Sequence, residues 1–182
     1  AACLLGAGHM ALPVLDELLA SASVPPAEVI DMRLLASSRT AAKSWLQKCL
    51  TEPSLRQPAI AALGVLGDRS VVPWLIERMG EPRSVWTAGL AWRDLFEVDF
   101  NDTDVFTVDP APLGDGFAEI EETPLAVADR ASAWWDEGRG PGRHAPFHSM
   151  RRQRLDAMRA ALENPGLPLA DWRRTRRFPA WM

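Results

Sequence analysis

Apolar residues recur every three to four positions through most of the first hundred residues, the spacing of helices that bury one face. Residues 10–20 carry Leu12, Leu15, Leu18 and Leu19 on such a stripe, and Pro25-Pro26 opens a second helix with Val29, Met32, Leu35 and Ala36 inward. Proline fits there because first-turn amides have no partner within the helix. Residues 39–50 predict a third helix with Ala42, Trp45, Leu46 and Cys49 facing the core, and residues 55–66 a fourth. Ser70 reads as an N-cap and Pro73 falls at the third helical position of the next helix. Its inward face is Val72, Leu75, Ile76 and Met79, and Gly80 stops it. Residues 84–96 predict a further helix, with Trp86 and Trp92 read as core.

The pattern repeats along the chain. Laid over itself, the sequence sets Ala61-Ala62, Pro73 and Leu75 under Ala1-Ala2, Pro13 and Leu15. Leu34, Trp45 and Leu46 precede Leu63, Trp74 and Leu75 by 29 residues, the same step that separates Ala59 and Ala62 from Ala88 and Ala91. A period near thirty residues is that of stacked helical hairpins, because one hairpin cannot bury its apolar face without a neighbour. The expected fold class is all-α, an α-solenoid of helical hairpins over residues 1–96. The register places Ala1 inside a repeat, so further repeats are expected before it.

Regularity ends there. Pro110, Pro112, Gly114, Gly116 and Pro124 break any helix across residues 97–124, leaving an irregular insertion in which residues 105–108 predict one short strand with no identifiable partner. A C-terminal helical region, residues 125–182, is expected to complete the array. It begins with a helix over residues 125–137, passes through a Gly/Pro loop, and continues with a helix over residues 149–163 ended by Asn164-Pro165-Gly166.

Composition is that of a folded globular chain, with 47% hydrophobic and 24% charged residues. The longest apolar run, residues 59–67, is far short of the ~20 residues that span a bilayer, so no membrane helix is expected. The chain does not open with a basic, apolar and small-residue secretion pattern. Cys3 and Cys49, the two cysteines, fall on apolar helix faces, which suits free thiols in a reducing cytoplasm. The net charge of -4 argues against a general nucleic-acid binder. Its distribution is uneven: eleven acids and no base lie from Asp94 to Asp129, then eleven arginines against five acids from Arg130 to Met182. The acidic segment is therefore expected to fold against the arginines and to loosen as salt rises.

Ala62-Leu63-Gly64-Val65-Leu66-Gly67-Asp68, followed by Val71-Val72-Pro73 and Leu75, resembles the HEAT-like repeat of phycobilisome lyases and many other bacterial proteins. Residues 85–91, Ala133-Trp134-Trp135, Arg151-Arg152-Gln153-Arg154, Ala160-Ala161-Leu162 and Pro165-Gly166-Leu167-Pro168 are similar to an uncharacterised bacterial HEAT-repeat family. That resemblance implies a HEAT-like solenoid and an association with type VI secretion gene neighbourhoods. It carries no catalytic residues.

Trp45 and Trp74, at equivalent repeat positions, offer aromatic anchors for a protein partner, or else inter-repeat packing. Arg151, Arg152 and Arg154, with Arg159, Arg173, Arg174, Arg176 and Arg177 beyond them and Trp172 and Trp181 interleaved, offer phosphate contacts and base stacking, or neutralisation of the acidic insertion. His144 and His148 have helical metal spacing but straddle Pro146. Asp99, Asn101 and Thr103 begin like a calcium loop, yet Asp104 stands where the turn glycine belongs and Pro110 where the bidentate Glu should be. Glu121-Glu122 lacks a nucleophile and reads as solvated charge. The favoured expectation is a non-enzymatic protein-binding scaffold or adaptor without metal or cofactor. The alternative is a HEAT-like DNA glycosylase or nucleic-acid binder using the Trp/Arg-rich surface.

Overall fold

The apolar spacing does produce helices: the computed structural model describes residues 8–22, 27–121 and 124–139, and these are mainly helical. They fall into two compact units, one described by residues 8–22 and 27–48, the other by residues 49–121 and 124–139.

The first unit contains α1 (Gly8–Ser21), α2 (Ala27–Ala36) and most of α3 (Arg39–Thr51), with α1 lying along α2. Asp16 Oδ1 of α1 meets Arg33 Nε of α2 at 2.8 Å. Among the described residues the buried apolar side chains are Ile30, Leu34 and Leu35 of α2 with Ala42 and Leu46 of α3. The inward stripe of α2 is thus rotated from the expected one, since Val29, Met32 and Ala36 are only half-buried. Apolar residues cover most of α2, so periodicity alone cannot choose the phase of the helix.

The second unit begins at the end of α3, where Cys49 is buried. It continues with α4 (Pro53–Leu66), a 3-10 turn (Arg69–Val71), α5 (Val72–Met79) and α6 (Val85–Phe96). Gly67 takes the left-handed conformation (φ 67°) that ends α4, and its N–H bonds the Leu63 carbonyl at 3.3 Å. Ser70 does not cap α5, whose N-cap is Val71; instead Asp68 caps the 3-10 turn before it, its Oδ1 accepting from the Ser70 N–H at 3.0 Å. A carboxylate two residues before the amide reaches it within one turn, while Ser70 is already inside that turn. Val72, Leu75 and Met79 of α5 are fully buried.

Helix α6 is central to this unit, packing against α4, α5 and a strand. The α4–α6 crossing is very close. A Cβ on Gly64 would lie 2.6 Å from the Ala91 carbonyl oxygen and 2.8 Å from Asp94 Cβ, so only glycine fits. Trp92 of α6 is fully buried and joins Phe96 and Trp134, the last from α7 (Ala128–Asp136), with ring centroids 4.5 to 5.5 Å apart.

The insertion finds its strand partner in an unexpected place. β1 (Phe106–Thr107) pairs antiparallel with β2 (Leu125–Ala126), setting Phe106 opposite Ala126 and Thr107 opposite Leu125. Residues 125–126 were expected to be helical; instead α7 starts at Ala128. Leu125, Ala126 and Val127 are all buried, and so short an apolar run has no period that separates strand from helix. Val105, Phe106 and Phe117 anchor the insertion by burial. Arg130 donates to the carbonyls of Thr103 (3.0 Å) and Phe106 (3.3 Å), and Arg139 meets Asp104 at 2.6 Å. Charge pairing therefore contributes, but the inward side chains of the segment are apolar. Among the described residues no helix is long and apolar enough to cross a membrane.

Candidate interaction surfaces

Trp45 and Trp74, expected as aromatic anchors, are both half-buried. In the first unit the Arg33 guanidinium lies 4.4 Å from the Trp45 ring centroid, held by Asp16 and by the Ser37 hydroxyl at 3.0 Å. In the second unit Arg78, one turn beyond Trp74 on α5, lies 5.2 Å from its ring and pairs with Glu81 at 2.6 Å. A cation over the ring face fixes the indole orientation by its quadrupole, and the carboxylates balance the positive charge. The cations over both rings, Arg33 and Arg78, are thus compensated. Residues one repeat apart share environments: Leu34 with Leu63, Leu46 with Leu75, Ala59 with Ala88 and Ala62 with Ala91 are all buried.

The arginines expected to act with them, Arg151, Arg152 and Arg154, lie outside the described residues, as do His144, His148, Arg159, Glu122, Cys3, Trp172, Trp181 and the expected helix over residues 149–163. Glu121 is exposed, as expected. Asp99 spends one oxygen on the backbone and side-chain amides of Asn101, at 2.9 and 2.8 Å. Among the described residues no group of three or more His, Cys, Asp or Glu side chains gathers to hold a metal ion.

Two surfaces escaped the sequence reading. On α1, Met10, Val14 and Leu18 are 67%, 57% and 47% exposed, although Leu18 was expected inward. Residues four apart share a helix face, so these three form one apolar row. Leu12, Leu15 and Leu19 are half-buried on the rest of the helix. The signal was present, since α1 is apolar on more than one face, and a helix of that kind has more than one neighbour.

The second surface lies where the insertion crosses α6. Trp86, expected as core, is only half-buried and stacks on Phe100, with ring centroids 5.7 Å apart and planes 13° from parallel. Trp86, Leu113 and Ile120 pack against the same buried group, Val85, Phe117 and Leu125. The insertion residues could not be assigned to this helix from spacing, because their contacts with it are long-range in sequence. Nearby, a recess of about 260 Å³ is lined by Thr103, Asp104, Arg130, Trp134, Glu137 and Arg139. Both arginines there are already committed, Arg130 to carbonyls and Arg139 to Asp104 and Glu137. The Trp92 indole N–H is buried and has no acceptor among the described residues.

No protein-family model matches the chain, nor does a curated protein or a solved structure.

Proposed function

We propose that the chain is a non-enzymatic scaffold or adaptor, a HEAT-like array of helical hairpins that binds another protein. The shared burial of residues 29 apart supports the repeat register. The observation that carries the binding role is the row of Met10, Val14 and Leu18 on α1, each about half exposed or more. Large apolar side chains aligned on one helix face are costly to hydrate, and such rows mark protein contacts. The resemblance to HEAT-repeat proteins of bacterial secretion neighbourhoods makes an adaptor for a secreted effector the favoured form of this role. The nucleic-acid alternative draws no support from Arg33, Arg78 and Arg139, which are paired with carboxylates, or from Arg130, which donates to carbonyls.

The test is affinity capture from the native organism with the full chain and with Val14→Lys/Leu18→Lys. The expected result is a reproducible protein partner retained by the wild type and lost by the variant, with unchanged melting. A variant that captures the same proteins, or that melts several degrees lower, shows the row to be irrelevant to binding or already packed within the chain.

A further inference from the structure

The patch on α6 has a chemistry that identifies what fits it. Trp86, Phe100, Leu113 and Ile120 are half-buried: Trp86 stacks on Phe100, and Trp86, Leu113 and Ile120 pack against one buried group, which brings the four apolar side chains to the same part of the unit. Carboxylates flank its members along the chain: Asp99 precedes Phe100, Asp115 follows Leu113 by two residues, and Glu119 and Glu121 bracket Ile120. All four acids are exposed. The side chains of Asp115, Glu119 and Glu121 make no hydrogen bond or ion pair among the described residues.

Among the described residues the neighbouring cations do not neutralise them. Arg93 lies 4.8 Å from the Phe100 ring and pairs with Asp94 at 2.7 Å, while Arg130 is turned to the carbonyls of Thr103 and Phe106. Arg83, exposed on the turn before α6, sets one positive charge against them. An aromatic and aliphatic centre with an acidic rim is complementary to a ligand with apolar side chains flanked by lysine or arginine: the centre supplies area to desolvate, and the rim steers and orients the approach. Phosphate-rich surfaces, whether nucleic acid or anionic lipid, are repelled by the same rim.

We propose that the surface formed by Trp86, Phe100, Leu113 and Ile120, with its rim of Asp115, Glu119 and Glu121, docks a basic amphipathic segment of a partner protein. The inference rests on the protein-binding reading above and adds the partner's chemistry and a second, separate contact site.

The experiment uses the full chain and a labelled lysine–leucine peptide of about fourteen residues, long enough for an amphipathic helix. Its controls have glutamate in place of lysine or serine in place of leucine. Fluorescence anisotropy should show binding of the lysine–leucine peptide only. Binding should weaken roughly tenfold in Asp115→Asn/Glu119→Gln/Glu121→Gln and again in Ile120→Ser, the scale of losing interface anchors. The triple substitution touches only exposed side chains, so it reports even if Ile120→Ser does not fold. A photo-crosslinker on the peptide should label residues 86–121. No binding, binding unchanged in the triple variant, loss through charge alone with the serine peptide binding equally well, or crosslinks confined elsewhere would each overturn the proposal. Such a failure alongside a partner captured through the α1 row removes this surface and leaves the protein-binding reading standing.

Discussion

Two glycines, both inside helices, should respond oppositely to alanine. Gly64 of α4 and Gly89 of α6 each sacrifice helix propensity, and replacement by alanine at an unhindered helical site gains about 0.5–1 kcal/mol. At Gly89 nothing opposes this gain: an added Cβ meets Ala126 Cβ at 3.4 Å and Phe106 Cε1 at 3.5 Å, ordinary contact distances. At Gly64 the added Cβ falls 2.6 Å from the Ala91 carbonyl oxygen, 2.8 Å from Asp94 Cβ and 3.0 Å from Ala91 Cα. Two of those three atoms are backbone, so no rotamer change relieves the overlap and the two helices must separate. Overpacking of a tight contact costs ~1–3 kcal/mol, and an overlap shared by three atoms belongs at the upper end of that range. Subtracting the propensity gain leaves Gly64→Ala about 2 kcal/mol less stable, a fall in melting temperature of about 4–8 °C for a chain of this size. Gly89→Ala should match the wild type or melt slightly higher. Thermal and urea unfolding of both variants, with equal denaturant slopes, measure the difference. If Gly64→Ala is as stable as the wild type, or if both variants move the same way, α4 and α6 do not cross at Gly64 and the packing argument fails.

Leu75 is fully buried, and Leu75→Ala should cost about 2–5 kcal/mol by leaving a cavity; a melting temperature within about one degree of wild type would refute its place in the repeat register. The insertion should resist limited proteolysis at low salt and still resist at about 1 M, where screening reaches down to roughly 3 Å, because Val105, Phe106 and Phe117 hold it by burial. Phe106→Ala, losing about 3–5 kcal/mol of packing, should expose it at any salt concentration. Release by salt alone would return the leading role to the charge pairs.

The helices of this protein were legible in its sequence because they rest on local physics. Apolar spacing, prolines in first turns, Gly80 at a helix end and the step of 29 residues are all properties of neighbouring positions. Burial of Ala42, Leu46, Leu63, Leu75 and Ala88 follows from that spacing without knowledge of the neighbours. Where apolar residues ran around most of a helix, as in α1 and α2, the choice of buried face passed to whatever packed against it. Hence Ile30 and Leu34 became core while Leu18 stayed exposed. The partner of β1 was equally out of reach: pairing Phe106 with Ala126 joins positions twenty residues apart, and no local pattern encodes that choice. Long-range packing likewise brings Phe100 onto Trp86, and Leu113 and Ile120 onto the buried group beside it. The chain specified its helices through short-range periodicity, but a surface built from a helix and a loop exists only once long-range packing has chosen which apolar residues remain in contact with water.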